Sequence, residues 1–218
     1  MTQRVYPDYW QEACSELAQR DPIIASLIQS YPDTILSSAM NPFLTLLRAI
    51  IGQQISVKAA DAIYLRLEKL SEGNHSRPEY FLNLPTSASQ EASLRDEQLR
   101  EIGLSRQKIA YIKNIAEYFT RLSLGHKDFK NKSSKEIREE LIKIKGVGEW
   151  TVEMFLIFYV LERDVFPVKD IGLVNTIKKL YGYTEMPQIL SLKELWSPWS
   201  TVAVWYIWRS LDAEPVLY

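Results

Sequence analysis

Apolar residues along this chain recur at steps of three and four, and no stretch alternates apolar with polar as a half-buried strand does. The pattern predicts an almost wholly α-helical protein. Ile109, Ile112, Ala116 and Phe119 share one face of a helix over 107–122, which puts Lys108 and Lys113 on the outer side. Asn41 and Pro42 open an apolar helix over 43–51; Gly52 interrupts it, and Ser56 is placed to cap a second helix running to about Leu70. Polar and proline-bearing stretches at 71–77 and 85–89 predict surface loops around a short apolar segment at 80–84. The segment 125–132 carries a run of basic residues, His126 included, and reads as a solvated linker. Trp196, Trp199, Trp205 and Trp208 crowd the far end, where a helix over 200–211 is apolar around most of its circumference and must be buried. The longest apolar run, 154–161, falls well short of the roughly 18 residues that span a bilayer and reads as a buried helix.

Composition narrows the class. A chain of 218 residues with 46% hydrophobic residues fills one large domain or two small lobes. Its opening, Met1 to Asp8, has no apolar signal segment, so an intracellular protein is expected. Cys14 is the only cysteine, which excludes an internal disulfide, a four-cysteine zinc site and a four-cysteine iron–sulfur cluster. The formal net charge of -1 offers no overall basic footprint for nucleic acid.

The most informative stretch runs from Ser133 to Met154. Ser133 and Glu136 make a capping-box pattern at the start of a helix whose apolar face ends in Leu141 and Ile144. Gly146 and Gly148 flank Val147 in a turn that reads as too tight for side chains at either glycine, and a second helix starts near Glu149. A turn leading straight into a helix N-terminus exposes unpaired main-chain N–H groups, which suit a phosphate. Lys143 and Lys145 bring positive charge to that turn, so the weak net charge does not count against local anion binding. An ordinary helix-turn-helix connection has the same Gly-x-Gly spacing, and the spacing alone leaves both readings open. Downstream, Pro167 ends one element and Asp170 is placed to cap the next helix.

Taken together, Gly52-Gln53-Gln54-Ile55-Ser56, the stretch Leu141 to Thr151, and Asp170-Ile171-Gly172-Leu173 resemble the helix-hairpin-helix DNA glycosylase superfamily, and specifically its 3-methyladenine DNA glycosylase II branch, over roughly 41–212. The resemblance implies an all-α, two-lobed architecture with a central cleft, a single glycosylase domain over 1–218 and the helix-hairpin-helix at 133–161. The implied activity is monofunctional hydrolysis of the N-glycosidic bond of alkylated purines such as 3-methyladenine in base excision repair. The implied partner is double-stranded DNA containing damaged bases, bound by a monomer. The implied compartment is the cytoplasm of a bacterium, with the nucleoid, or the nucleus of a eukaryote. No membrane is involved.

Residue by residue, the resemblance places the catalytic carboxylate at Asp170. A fixed carboxylate stabilises the oxocarbenium character that develops on the sugar and orients the attacking water. An alkylated, cationic purine leaves as a neutral molecule, so one acid suffices. Bifunctional relatives carry a lysine nucleophile just after the hairpin; Trp150 occupies that position here, which implies an abasic product on an intact strand. Trp150, Met154 and Trp208 are implied to line the base pocket, whereas from residue type alone a tryptophan reads as core, as Trp196 and Trp205 do. The loop at 52–56 is implied to fill the gap left by the flipped base, with Gln54 first and Ile55 second as the wedge. Gly146, Val147, Gly148, Lys145 and Thr151 are the implied phosphate contacts. The main-chain carbonyls of Ile142, Ile144 and Val147 are the implied ligands of a structural monovalent cation, while catalysis needs no cofactor and no iron–sulfur cluster. Ser200 stands where the family pattern has arginine, which predicts a lost polar support or DNA contact. Two rivals stay open: a glycosylase for other damaged or mismatched purines, and a non-catalytic DNA-binding protein in which Asp170 is a helix cap only.

Overall fold

A computed structural model of the chain describes residues 4–82 and 96–211; the loop expected at 85–89 and the end of the segment expected at 80–84 lie outside them. Among the described residues the α-helices are, in order, α1 (Trp10–Arg20), α2 (Pro22–Ser30), α3 (Pro42–Gly52), α4 (Val57–Leu70), α5 (Asp96–Glu101), α6 (Arg106–Leu122), α7 (His126–Phe129), α8 (Ser134–Leu141), α9 (Glu149–Phe155), α10 (Ile171–Tyr181), α11 (Met186–Trp196) and α12 (Ser200–Arg209). They contain no strand, only an isolated antiparallel bridge between Val5 and Ser38. No described helix is long and apolar enough to cross a membrane. The chain divides into two compact units, Met40–Phe155 and the pair of segments Met1–Ala39 and Leu156–Leu217.

The Met40–Phe155 unit is built on α3. Asn41 caps it by accepting the Leu44 amide at 2.9 Å, and Phe43, Leu46, Leu47, Ile50 and Ile51 are all buried. An apolar helix buried on nearly every side must be surrounded, and α4, α6 and α9 pack around it. A chain of rings ties these helices together: Phe43 meets Phe81 at 5.7 Å and Phe119 at 5.8 Å, Phe119 meets Phe129 at 6.0 Å, and Phe129 meets Phe155 at 5.3 Å between centroids. Phe129 corrects the linker expected at 125–132. The Asp128 carboxylate accepts the Gly125 amide at 2.8 Å to start α7, and burial of one large ring outweighs the solvation of the basic residues around it. Lys108 also departs from expectation. Its ammonium turns back to the Ile51 carbonyl at 2.7 Å, satisfying an acceptor at the C-terminal end of α3, and this half-burial lowers its pKa.

In the second unit α12 is the buried element, its side chains enclosed from Ser200 to Ile207. Trp205 meets Trp10 edge to face at 5.3 Å, and Trp196 is fully enclosed, so both belong to the core as their residue type suggests. The run at 154–161 is not one regular helix. It passes into a π-helical turn at Leu156–Val160 and ends at Leu161 with φ +61, a conformation that costs a leucine energy and that the Tyr9 hydroxyl supports by donating to the Leu161 carbonyl at 2.7 Å.

One buried carboxylate organises this unit. Asp21 Oδ1 accepts the Ile23 amide at 2.9 Å and the Ile24 amide at 3.2 Å, capping α2, while Oδ2 accepts from the Tyr181 hydroxyl at 2.6 Å and the Trp196 indole N–H at 2.8 Å. Burial, with the Asp21 carboxylate beside it, pushes the Tyr181 hydroxyl pKa up. Removing the acid leaves two buried donors without an acceptor, at about 1–3 kcal/mol each, and a helix uncapped at about 1 kcal/mol. Asp21→Ala is therefore expected to lower stability by at least about 3 kcal/mol in urea unfolding, and Asp21→Asn by less, because the amide oxygen still caps α2.

Candidate active site

The hairpin is set by packing on both sides of its turn. Ser133 opens α8 with a reciprocal cap, its hydroxyl accepting the Glu136 amide at 3.3 Å and its own amide donating to Glu136 at 2.8 Å. Ile144 and Val147 are buried under the turn, and the Val147 amide donates to the Ile144 carbonyl at 3.0 Å. Gly146 has φ +104, and a Cβ there would lie 2.2 Å from Cγ of Tyr111 on α6. Gly148 is different. A Cβ on it would meet nothing within 4 Å, so the expectation that both glycines are forced by crowding holds only for Gly146. The bare backbone at Gly148 is an opening to solvent. No protein acceptor takes the amides of Gly148, Glu149 or Thr151 among the described residues, as the first turn of a helix requires. The acid at Glu149 sits beside this donor cluster and is paired across the hairpin with Arg138. Lys143 and Lys145 are exposed next to the turn.

Thr151 needs correction as a phosphate contact. The residue is 1% exposed and its hydroxyl accepts from Gln53 at 3.0 Å, so its side chain is committed within the fold and a phosphate contact would fall to its main-chain N–H. The carbonyls expected to face a cation are little engaged by the protein. Ile144 uses one lone pair on Val147, and among the described residues no hydrogen bond to the protein occupies the carbonyls of Ile142 and Val147.

In the same unit, α3 runs into the loop Gly52 to Ser56. Ser56 caps α4 by accepting the Ala59 amide at 3.3 Å. Gln54 is exposed with φ +57, a left-handed conformation uncommon for a residue with a side chain, and Ile55 is also exposed. Gln53 turns inward. Trp150 is half-exposed on the first turn of α9, and Met154, four residues on and so on the same face, is buried.

Asp170 lies in the other unit, at the start of α10. Its Oδ1 accepts the Leu173 amide at 2.7 Å, and the residue stays half-exposed. A Cβ at Gly172 would sit 3.2 Å from that oxygen, so glycine there lets the carboxylate lie against the helix end. The segment leading to Asp170 is stapled in place. Thr201 donates to the Glu162 carbonyl at 2.6 Å and accepts the Val165 amide at 3.0 Å; Lys193 reaches the Asp164 carbonyl at 2.9 Å and its carboxylate at 2.7 Å. Ser200 donates to Asp164 at 2.5 Å with Lys193 3.3 Å away, so the position where the family pattern has arginine keeps a polar contact within the fold. Trp208 is half-exposed and stacks on Phe158 at 5.8 Å.

A family model described as HhH-GPD superfamily base excision DNA repair protein matches residues 47–201, a span that contains the hairpin, the 52–56 loop and Asp170. The chain belongs to this superfamily. It is 31% identical over 192 residues to DNA-3-methyladenine glycosylase 1 of Schizosaccharomyces pombe, covering 86% of this chain and 80% of that one. Its fold matches the Schizosaccharomyces pombe 3-methyladenine DNA glycosylase solved in complex with abasic DNA, with a TM-score of 0.77, 30% identity, and coverage of 91% of this chain and 96% of the other. A DNA-3-methyladenine glycosidase from Bacillus halodurans matches with a TM-score of 0.67 and 31% identity over 99% of this chain and 96% of its own.

Within this HhH-GPD protein, the residues that sequence reasoning left without a role are Tyr111, Gln53 and Lys193. A Gly-x-Gly turn signals that some neighbour lies close but not which helix supplies it, and a lysine's partner 29 residues away has no local signature.

Three outcomes test this geometry. Gly146→Ala is expected to unfold or strongly destabilise the protein in thermal melts, since it adds an atom inside the Tyr111 ring at a positive φ. Gly148→Ala is expected to fold as wild type and to weaken binding to duplex DNA in fluorescence anisotropy. The third outcome concerns pH. Burial pushes the Asp164 carboxyl up, but hydrogen bonds from Lys193, Ser200 and Ser197, with the Lys193 charge, outweigh it and hold the pKa below the ordinary 3.8. A depressed carboxylate contributes stability above its unfolded value and loses it as pH falls through the folded one. The stability gap between wild type and Asp164→Asn, measured by urea unfolding, is therefore expected to be full at neutral pH and to close below pH 3.8.

Proposed function

We propose that this protein is a monofunctional DNA-3-methyladenine glycosylase that hydrolyses the N-glycosidic bond of alkylated purines in base excision repair, leaving an intact strand with an abasic site. The observation that carries this reading is Asp170: a half-exposed carboxylate fixed by a main-chain N–H at 2.7 Å, in a chain similar along most of its length to an enzyme named for 3-methyladenine. A carboxylate already fixed has no reorganisation to undergo as the sugar becomes cationic, and this preorganisation is what makes electrostatic stabilisation effective. The helix cap and the catalytic role use the same residue without conflict.

The remaining roles follow from chemistry. The amides of Gly148, Glu149 and Thr151, with Lys145 beside them, bind a DNA phosphate. Ile142, Ile144 and Val147 would hold a monovalent cation by their carbonyls, adding positive charge at the phosphate. Gln54, with Ile55 next to it, enters the base stack, and Trp150, with Met154 four residues on, and Trp208 in its own unit each supply a wall suited to a cationic base. Trp150 offers no amine, so water rather than the protein attacks the sugar.

Single-turnover base release from methylated duplex DNA tests the proposal. Wild type is expected to free methylpurines without nicking the strand, and Asp170→Asn to slow release by roughly 10²-fold or more while still binding DNA. Wild-type DNA binding without release of any methylpurine would count for the non-catalytic alternative.

A further inference from the structure

We infer that Gln53 is a positioning residue that couples the base-displacing loop to the phosphate-gripping hairpin; the inference rests on the function proposed above. One nitrogen carries the coupling. Gln53 Nε2 lies 3.2 Å from the Gly146 carbonyl and 3.0 Å from Thr151 Oγ1. A carbonyl can only accept, which fixes the orientation of the carboxamide, and an NH2 group has two hydrogens, so both bonds form at once.

Both acceptors are immobile. Gly146 is held at φ +104 against Tyr111, and Thr151 is buried on the first turn of α9. The donor is equally constrained. Gln53 caps α3 by donating its amide to the Ile50 carbonyl at 3.3 Å, and the preceding turn is held by Lys108 at the Ile51 carbonyl. The very next residue is Gln54, in the left-handed region, so the direction in which its exposed side chain leaves the protein is set by a backbone that Gln53 fixes. The hairpin fixes where a phosphate sits. The Gln53 side chain thus sets the spacing between the phosphate contact and the wedge, and puts the two in register on the DNA.

This chemistry excludes close substitutes. Glutamate has the same length but no donor, and it faces a carbonyl; leucine leaves both acceptors unpaired. Either change leaves the hairpin amides in place. Loss of Gln53 therefore spares DNA binding and impairs base extrusion, since misplacing a group by about 1 Å costs on the order of 10²-fold.

The test uses the full chain, with Gln53→Leu and Gln53→Glu each made alone and in a Gln54→Ala background, after urea unfolding has shown which variants are folded. Three quantities are read: the dissociation constant for abasic duplex, single-turnover release of methylpurine, and fluorescence of a 2-aminopurine placed in duplex DNA next to the lesion. The expected result is a fall of about 10- to 100-fold in release and in the 2-aminopurine rise, with the dissociation constant within about 3-fold of wild type. In the Gln54→Ala background the same change is expected to cost less than about 2-fold more, because Gln53 acts through Gln54. A wild type that releases no methylpurine overturns the functional reading and the inference with it. An active wild type whose Gln53 and Gln54 effects multiply independently, or whose Gln53 variants lose binding as much as release, overturns the coupling alone. The isosteric Gln53→Glu variant decides the matter if Gln53→Leu does not fold.

Discussion

A site that grips phosphate with main-chain amides must leave those amides without protein partners, and the backbone around them must then be rigid for other reasons. That constraint accounts for much of the Met40–Phe155 unit. A flexible turn with bare N–H groups would rotate them toward water or toward each other. Here the turn cannot rotate, because Gly146 is pressed on the Tyr111 ring and Ile144 and Val147 are buried beneath it. The ring belongs to α6, which is held in turn by the Phe43, Phe119, Phe129 and Phe155 contacts at the centre of the unit. The aromatic core is therefore also the foundation of the proposed anion site, and a defect in packing there reaches the hairpin through α6.

The same logic of fixing a polar group before it is needed governs Asp170. Its cap hydrogen bond orients one oxygen, and the preceding segment is immobilised by Thr201, Lys193 and Ser200 acting on main-chain groups and on Asp164. Ser200, with Lys193 beside it, makes a polar contact to Asp164 at the position where the family pattern has arginine. The positive charge in this support comes from Lys193 on α11.

Helices were legible in this sequence because periodicity is a property of the side chains on one element. The cap residues Ser56, Ser133 and Asp170 were legible for the same reason, since a cap and its target amide are three residues apart. What escaped the reading depends on partners distant in sequence. The basic residues at 126, 127, 130 and 132 concealed α7, which is held by Phe129 meeting Phe119 and Phe155. Lys108 looked like a solvent-facing helix residue because its partner is the end of α3. Gln53 had no role in the sequence reading, because its partners Gly146 and Thr151 lie more than 90 residues away. The location of Asp170, Trp150 and Gln54 came from the resemblance to a family rather than from spacing, and residue type alone favoured a cap, a core aromatic and a loop residue.

Net charge was a poor guide to nucleic-acid binding for a related reason. A total of -1 averages over cations already committed within the fold: Lys113 pairs with Asp96, Lys132 with Glu140, Arg138 with Glu149 and Lys193 with Asp164. Such pairs are electrically quiet at the distances over which DNA is felt, because opposite charges a few ångströms apart cancel beyond a Debye length of about 10 Å. Lys143 and Lys145 are exposed beside the turn, and with Arg121 they border a cavity of about 850 Å³ that opens next to it. The Arg138–Glu149 pair matters most in this respect, since an uncompensated carboxylate on the first turn of α9 would repel the phosphate that the neighbouring amides attract. The local field at a site, and not the sum over the chain, decides whether an anion is held, and here the fold concentrates free amides and free lysines at one turn while neutralising the acid among them.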